Sequence, residues 1–298
     1  MKKSFLKAAG SAVLIISVAL WGCSSSRSLL KRIHSSEPVL AKRVKVVPFL
    51  DETHLGGKLG EAFTEEFVAK IKKIPSVILD EKPFELPMPE NIKSLRFGIV
   101  TPKDFIMKAE ERGLNILITG VVNPVDVTVK RTGIWPFRKN TRFYEISAVV
   151  NLIDVTSGAV LFTRLESKTY KGSEEEYADN AKEFMAELVR SHLPEILKKQ
   201  VSAVSDVIEE LPWIGKVIAS EDTSIRVNGG RDVGMKEGYV FRVFSQGKWI
   251  KGMNERPYPV RSREVGEIEV VSLGAREATA KPVSGGPFTV GEVILLRN

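Results

Sequence analysis

The sequence predicts a two-part fold: an α/β sandwich, a mixed sheet with flanking helices, over residues 44–200, then a small all-β barrel or sandwich over residues 213–298. Two observations predict it. From Val44 onward, short apolar runs alternate with segments of helical period, and three strand-like runs then follow in succession. From Trp213 no helical period survives, and short strands recur between Gly-rich turns. An apolar share of 43% with 27% charged residues is ordinary for globular protein, and the length fills one large or two ordinary domains.

The elements follow in order. Val44–Phe49 is an apolar run of the buried-strand type. Over Gly57–Lys73, Leu59, Phe63, Phe67, Ile71 and Ile74 recur at helical spacing with charges between them. Val77–Leu79 is a second short strand, and Pro83, Pro87 and Pro89 mark a surface loop after it. Thr101-Pro102-Lys103-Asp104 opens a helix with an N-cap and a first-turn proline, and Gly113 closes it. Asn115–Val122 is another buried strand. Val125–Arg131, Arg142–Val155 and Ala159–Tyr170 are strand-like, the last two joined by the turn Thr156-Ser157-Gly158. Ser173 and Glu176 form a capping box for a helix carrying Tyr177, Ala181, Phe184, Met185, Leu188 and Val189 on one stripe. Pro194 ends or kinks that helix, an amphipathic stretch runs on toward Leu211, and residues 201–212 connect the two parts. The terminal strands are Lys216–Ala219, Ser224–Val227, Tyr239–Phe244, Val265–Val271, Ala275–Pro282 and Glu292–Leu296. Their pattern is complete from Trp213, so this part is expected to fold alone.

Residues 1–22 read as an export signal. Lys2, Lys3 and Lys7 form a basic start and Val13–Leu20 an apolar core, shorter than the ~20 residues that a membrane span needs. Leu20-Trp21-Gly22-Cys23 resembles a bacterial lipoprotein box, in which Cys23 becomes the acylated N-terminus; an ordinary signal peptide ending by chance at a cysteine is the alternative. Two or more acyl chains hold stably to a membrane where one holds marginally. Ser24 after the cysteine, rather than Asp, resembles lipoproteins sorted to the outer membrane. The expected location is therefore the periplasmic face of that membrane, with the palmitate-type anchor on Cys23. Residues 23–43 read as a tether, either a plain linker or one whose basic residues touch headgroups.

Composition argues against several functions. Removing residues 1–22, which hold three Lys and no acid, lowers the formal charge from +7 to +4, too mild for a nucleic-acid binder. Cys23 is the only cysteine, so no intrachain disulfide is expected. Asp51-Glu52-Thr53-His54 is the one conceivable metal or acid/base cluster, and a solvated strand-end loop explains it more simply. Gly56-Gly57-Lys58-Leu59-Gly60 stands where a phosphate loop would, but Leu55 and Leu59 break both phosphate-binding patterns. His192 reads as a helix-face residue. No enzyme, cofactor, metal or small-molecule substrate is expected.

One segment stands apart. In residues 130–144, Trp135 and Phe137 flank Pro136 between two strands, with Lys130, Arg131, Arg138, Lys139 and Arg142 around them. Trp135, Phe137, Arg138 and Lys139 are the candidate contact to a partner or membrane; the plain alternative folds the aromatics back onto the domain.

Residues 44–200 resemble the CsgG-like family of outer-membrane export lipoproteins. The matching pieces are Val44-Lys-Val-Val-Pro-Phe-Leu-Asp51, the helix at Gly57–Lys73, Leu114-Asn-Ile-Leu-Ile-Thr-Gly-Val-Val122 and Val150-Asn-Leu-Ile-Asp-Val-Thr-Ser-Gly-Ala-Val-Leu161. Residues 213–298 are similar to the C-terminal domain of the flagellar assembly protein T (FlgT) family on Arg226-Val-Asn-Gly-Gly-Arg-Asp-Val-Gly-Met-Lys-Glu-Gly238, Val265-Gly-Glu-Ile-Glu-Val-Val271 and Phe288-Thr-Val-Gly-Glu-Val-Ile294. The resemblance implies a non-catalytic scaffold of an envelope machine, flagellar or secretion-associated, with other envelope proteins and homo-oligomers among its contacts. The alternative it implies is a subunit of an oligomeric secretion channel. A membrane hairpin needs two strands of ~9–11 residues with a lipid-facing apolar side, and neither Val125–Tyr144 nor Tyr170–Asn180 supplies them.

Overall fold

Five residues of mixed chemistry, Lys42–Val46, form β1, and all five are buried because neighbours pair both edges and cover both faces. The computed structural model describes residues 39–56, 58–82, 103–172, 181–221, 223–245, 249–251, 257–259 and 263–297. The export signal, Cys23, the Pro83–Pro89 loop, the Thr101-Pro102 start and the Ser173/Glu176 box with Tyr177 lie outside the described residues.

β1 pairs in parallel with β3 (Val77–Leu79) and with β4 (Ile116–Val122), whose far end also takes β2 (Leu50–Asp51) in parallel. β6 (Lys139–Asp154) runs antiparallel to β4 over its second half and to β5 (Asp126–Thr132) over its first. β7 (Val160–Gly172) lies along the other edge of β6, completing a seven-stranded mixed sheet.

Helices α1 (Leu59–Ile71) and α3 (Ala181–Glu210) cover one face. The i, i+4 stripe of α1 carries Leu59, Phe63, Phe67 and Ile71 into the core, each burial contributing about 1.5–3 kcal/mol. On the other face α2 (Lys103–Glu111) sets Ile106 and Ala109 over Leu117 and Ile153. Pro194 neither ends α3 nor splits it: the helix is continuous through that position. Leu193, Leu197, Val204 and Ile208 keep one apolar stripe on the sheet, and their burial outweighs the ~3 kcal/mol that an internal proline costs. Most of the expected connector is therefore the last turns of this helix.

Six strands close an antiparallel barrel in the order β10 (Val240–Phe244), β13 (Glu264–Leu273), β14 (Ala278–Gly285), β9 (Ser224–Val227), β8 (Ile214–Glu221), β15 (Val293–Leu296). Both barrel and sandwich were open on the sequence; the barrel is what forms. A small hairpin of β11 (Trp249–Lys251) and β12 (Pro257–Pro259) has no counterpart in the sequence reading.

Residues 39–297 form one compact unit, and the joint within it begins in the supposed tether. Leu40 is 3% exposed and belongs to the barrel core, while the Ala41 N–H donates to the Val233 carbonyl at 2.9 Å. Residues 39–43 are thus folded protein rather than linker, since the Lys42 N–H already bonds the Ser76 carbonyl beside β3. The Arg43 guanidinium forks onto Asp232, at 3.0 Å from Nε and 2.8 Å from Nη2, and also donates to the carbonyls of Asn228 and Arg276. Asn115 accepts from the Arg43 N–H and donates to the Ile214 carbonyl, and Lys216 pairs with Glu110 at 2.8 Å.

Candidate functional site: an aromatic and basic hairpin tip

β5 is exposed along nearly its whole length and, among the described residues, pairs with β6 alone, so the two form a ribbon. At its end Gly133 takes φ 105°, which only glycine adopts readily, and the Phe137 N–H closes the turn on the Ile134 carbonyl at 2.7 Å. Ile134, Trp135 and Phe137 are 85%, 79% and 85% exposed. The aromatics do not fold back. A side-chain hydrogen bond between Thr132 and Thr141 ties the two strands just behind the turn.

Register sorts the cations. Directly opposed residues share a face: Thr132 with Lys139, Lys130 with Thr141, Arg131 with Asn140, and Val129 with Arg142. Lys130 and Lys139 therefore stand on one face, and Arg131 and Arg142 on the other. Lys130 rests its ammonium 5.5 Å from the Phe143 ring centre. Arg138 is exposed in the turn itself. No acid occurs between Asp126 and Glu145, so the apolar apex sits within an all-positive collar. Ile134 belongs to this apex as well; its place at the turn was the sequence signal for it.

The other sequence candidates form no site with this one. Asp51 accepts hydrogen bonds from the Thr53 N–H at 3.0 Å and hydroxyl at 2.6 Å, a local turn, and His54 adopts φ 56° beside it. Among the described residues no three His, Cys, Asp or Glu side chains are grouped so as to hold a metal ion. The His192 ring packs at a tilt against Tyr170, 5.8 Å between centres, and burial first, then the Lys168 charge, push its imidazole below the usual range against a weaker pull from Glu195. It holds helix to sheet. Among the described residues, no helix is long and apolar enough to cross a membrane.

No protein-family model matches the chain, and no curated protein matches it. Solved structures give only faint likenesses. The hypothetical protein CT253 from Chlamydia trachomatis is 13% identical at TM-score 0.33, with 54% of this chain and 96% of that one covered. PelC from Paraburkholderia phytofirmans, a dodecamer, is 16% identical at TM-score 0.29, covering 55% and 91%. Lipoprotein GNA1162 from Neisseria meningitidis is 15% identical at 0.29, covering 56% and 98%. Likeness at this level identifies neither a family nor a function.

Proposed function

We propose that this chain is a non-catalytic lipoprotein with a structural or assembly role in the bacterial envelope. Acyl chains on Cys23 would hold it on the periplasmic face of the outer membrane. The observation that carries the contact role is the exposed apex of Ile134, Trp135 and Phe137 within its basic collar, a surface built to touch something and with no reacting group grouped beside it. The flagellar or secretion-associated setting comes from the sequence resemblance alone.

Cys23→Ser is expected to block lipid attachment and leave unprocessed precursor in the inner membrane; soluble mature protein with a different N-terminus would point to an ordinary signal peptide. Cross-linked outer membranes should yield envelope proteins with the wild type and fewer with Trp135→Ala/Phe137→Ala. Turnover of a substrate, abolished by Asp51→Asn or Glu52→Gln, would replace the role with an enzymatic one. Against the channel alternative stands the length of β5, seven residues with Lys130 and Arg131 at its end, where a crossing strand needs ~9–11. Conductance steps from the purified lipoprotein in planar bilayers would restore that alternative.

A further inference from the structure

The geometry points to an anionic lipid surface as the occupant of the hairpin tip, making the apex a second membrane attachment beside Cys23. This rests on the anchored role above. Three large apolar side chains crown a convex turn, a shape that a deformable interface accepts more easily than a preformed pocket does. The cations stand on both faces of the ribbon rather than on one. A one-sided groove would meet only half of them, whereas a plane of anionic headgroups around the apex meets Lys130, Arg131, Lys139 and Arg142 together. Trp135 and Phe137 would lie at the depth where aromatic rings favour the headgroup boundary. The same collar stops deeper entry, since charge on a lipid-facing strand costs ~2–4 kcal/mol at mid-bilayer and little at the interface.

Residues 23–298 carrying Cys23→Ser, produced without the export signal and so lacking acyl chains, are floated with vesicles of phosphatidylglycerol and phosphatidylethanolamine, or of phosphatidylcholine alone. Binding is expected to be at least ~10-fold stronger to the anionic vesicles. Trp135→Ala/Phe137→Ala should lower it by about as much, and Arg138→Gln/Lys139→Gln should lower it about threefold and weaken its salt dependence. In the lipidated chain, brominated lipids should quench a fluorescence component that Trp135→Phe removes. Equal binding by wild type and Trp135→Ala/Phe137→Ala overturns the proposal, as does a photocrosslinker at position 137 that captures protein and no lipid in cells. Absence of lipid on Cys23 would remove the anchored role, while flotation of the acyl-free chain still reads the tip by itself.

Discussion

Lys42 carries a charge into the sheet at a cost. It is 1% exposed on the same face as Val44 and Val46, and burial lowers its ammonium pKa to about 8, against a weaker opposing pull from Glu209 on α3. The folded value lies below the ordinary 10.5, so between pH 8 and 10.5 the unfolded chain binds more protons and stability rises with pH. The penalty is complete below pH 8 and gone above 10.5. Lys42→Met should therefore stabilise the protein by about 1–2 kcal/mol at pH 7, and by almost nothing at pH 11, in paired urea titrations. Its neighbour Arg43 behaves oppositely, because its charge is answered. Arg43→Ala leaves Asp232 without its fork and should cost about 3 kcal/mol. Arg43→Lys should recover only a small part of that, since a point cation cannot make the paired contacts.

At the scale of elements, β4 fits closely against the segment after β1. A Cβ on Gly120 would stand 1.8 Å from the Phe49 ring, which itself packs on Phe63 and Phe67. Gly120→Ala should cost about 3 kcal/mol by thermal melt, with Phe49→Leu partly relieving it. The hairpin apex gives the contrasting result: Trp135→Ala/Phe137→Ala should leave stability within about 0.5 kcal/mol of wild type, because those side chains are exposed. Elements of this kind were mostly legible because their signals are local. The i, i+4 stripe of α1, the Thr156-Ser157-Gly158 turn and the six Gly-punctuated barrel strands each lie within a few residues of their cause. That Pro194 does not end α3 could not be read locally, since the penalty of the proline shows in the sequence and the sheet beneath Val204 and Ile208 does not. The tip's residues stand out as aromatics among cations, but their exposure depends on β5 having no second neighbour among the described residues.

For the whole molecule the joint decides more than either part. The sequence pattern makes the terminal barrel complete from Trp213, yet its core takes in Leu40, with Ile78 packed against it. A 213–298 fragment lacks both, along with Arg43. It should melt at least ~10 °C below the same barrel within the full chain, read by circular dichroism, since losing a buried leucine costs ~2–5 kcal/mol. None of this was readable in advance. Arg43 and Asp232 stand 189 residues apart, and no local period or turn signal links positions so distant.

That separation also sets a timetable. A chain made from its N-terminus produces Ala41 and Arg43 among the first residues of the compact unit, yet their partners are Val233 for the one and Asp232, Asn228 and Arg276 for the other. Closing so long a loop is slow compared with forming α1 or the β6–β7 hairpin. β1 can pair with β3 and β4 once residue 122 has emerged, but until nearly the whole chain is out Leu40 has no barrel core to enter, and a ribosome-stalled chain ending before Arg276 should leave it open to protease. The joint, built on some of the first residues of the compact unit to be synthesised, is thus among the last contacts to be locked, long after β1 itself has its sheet neighbours.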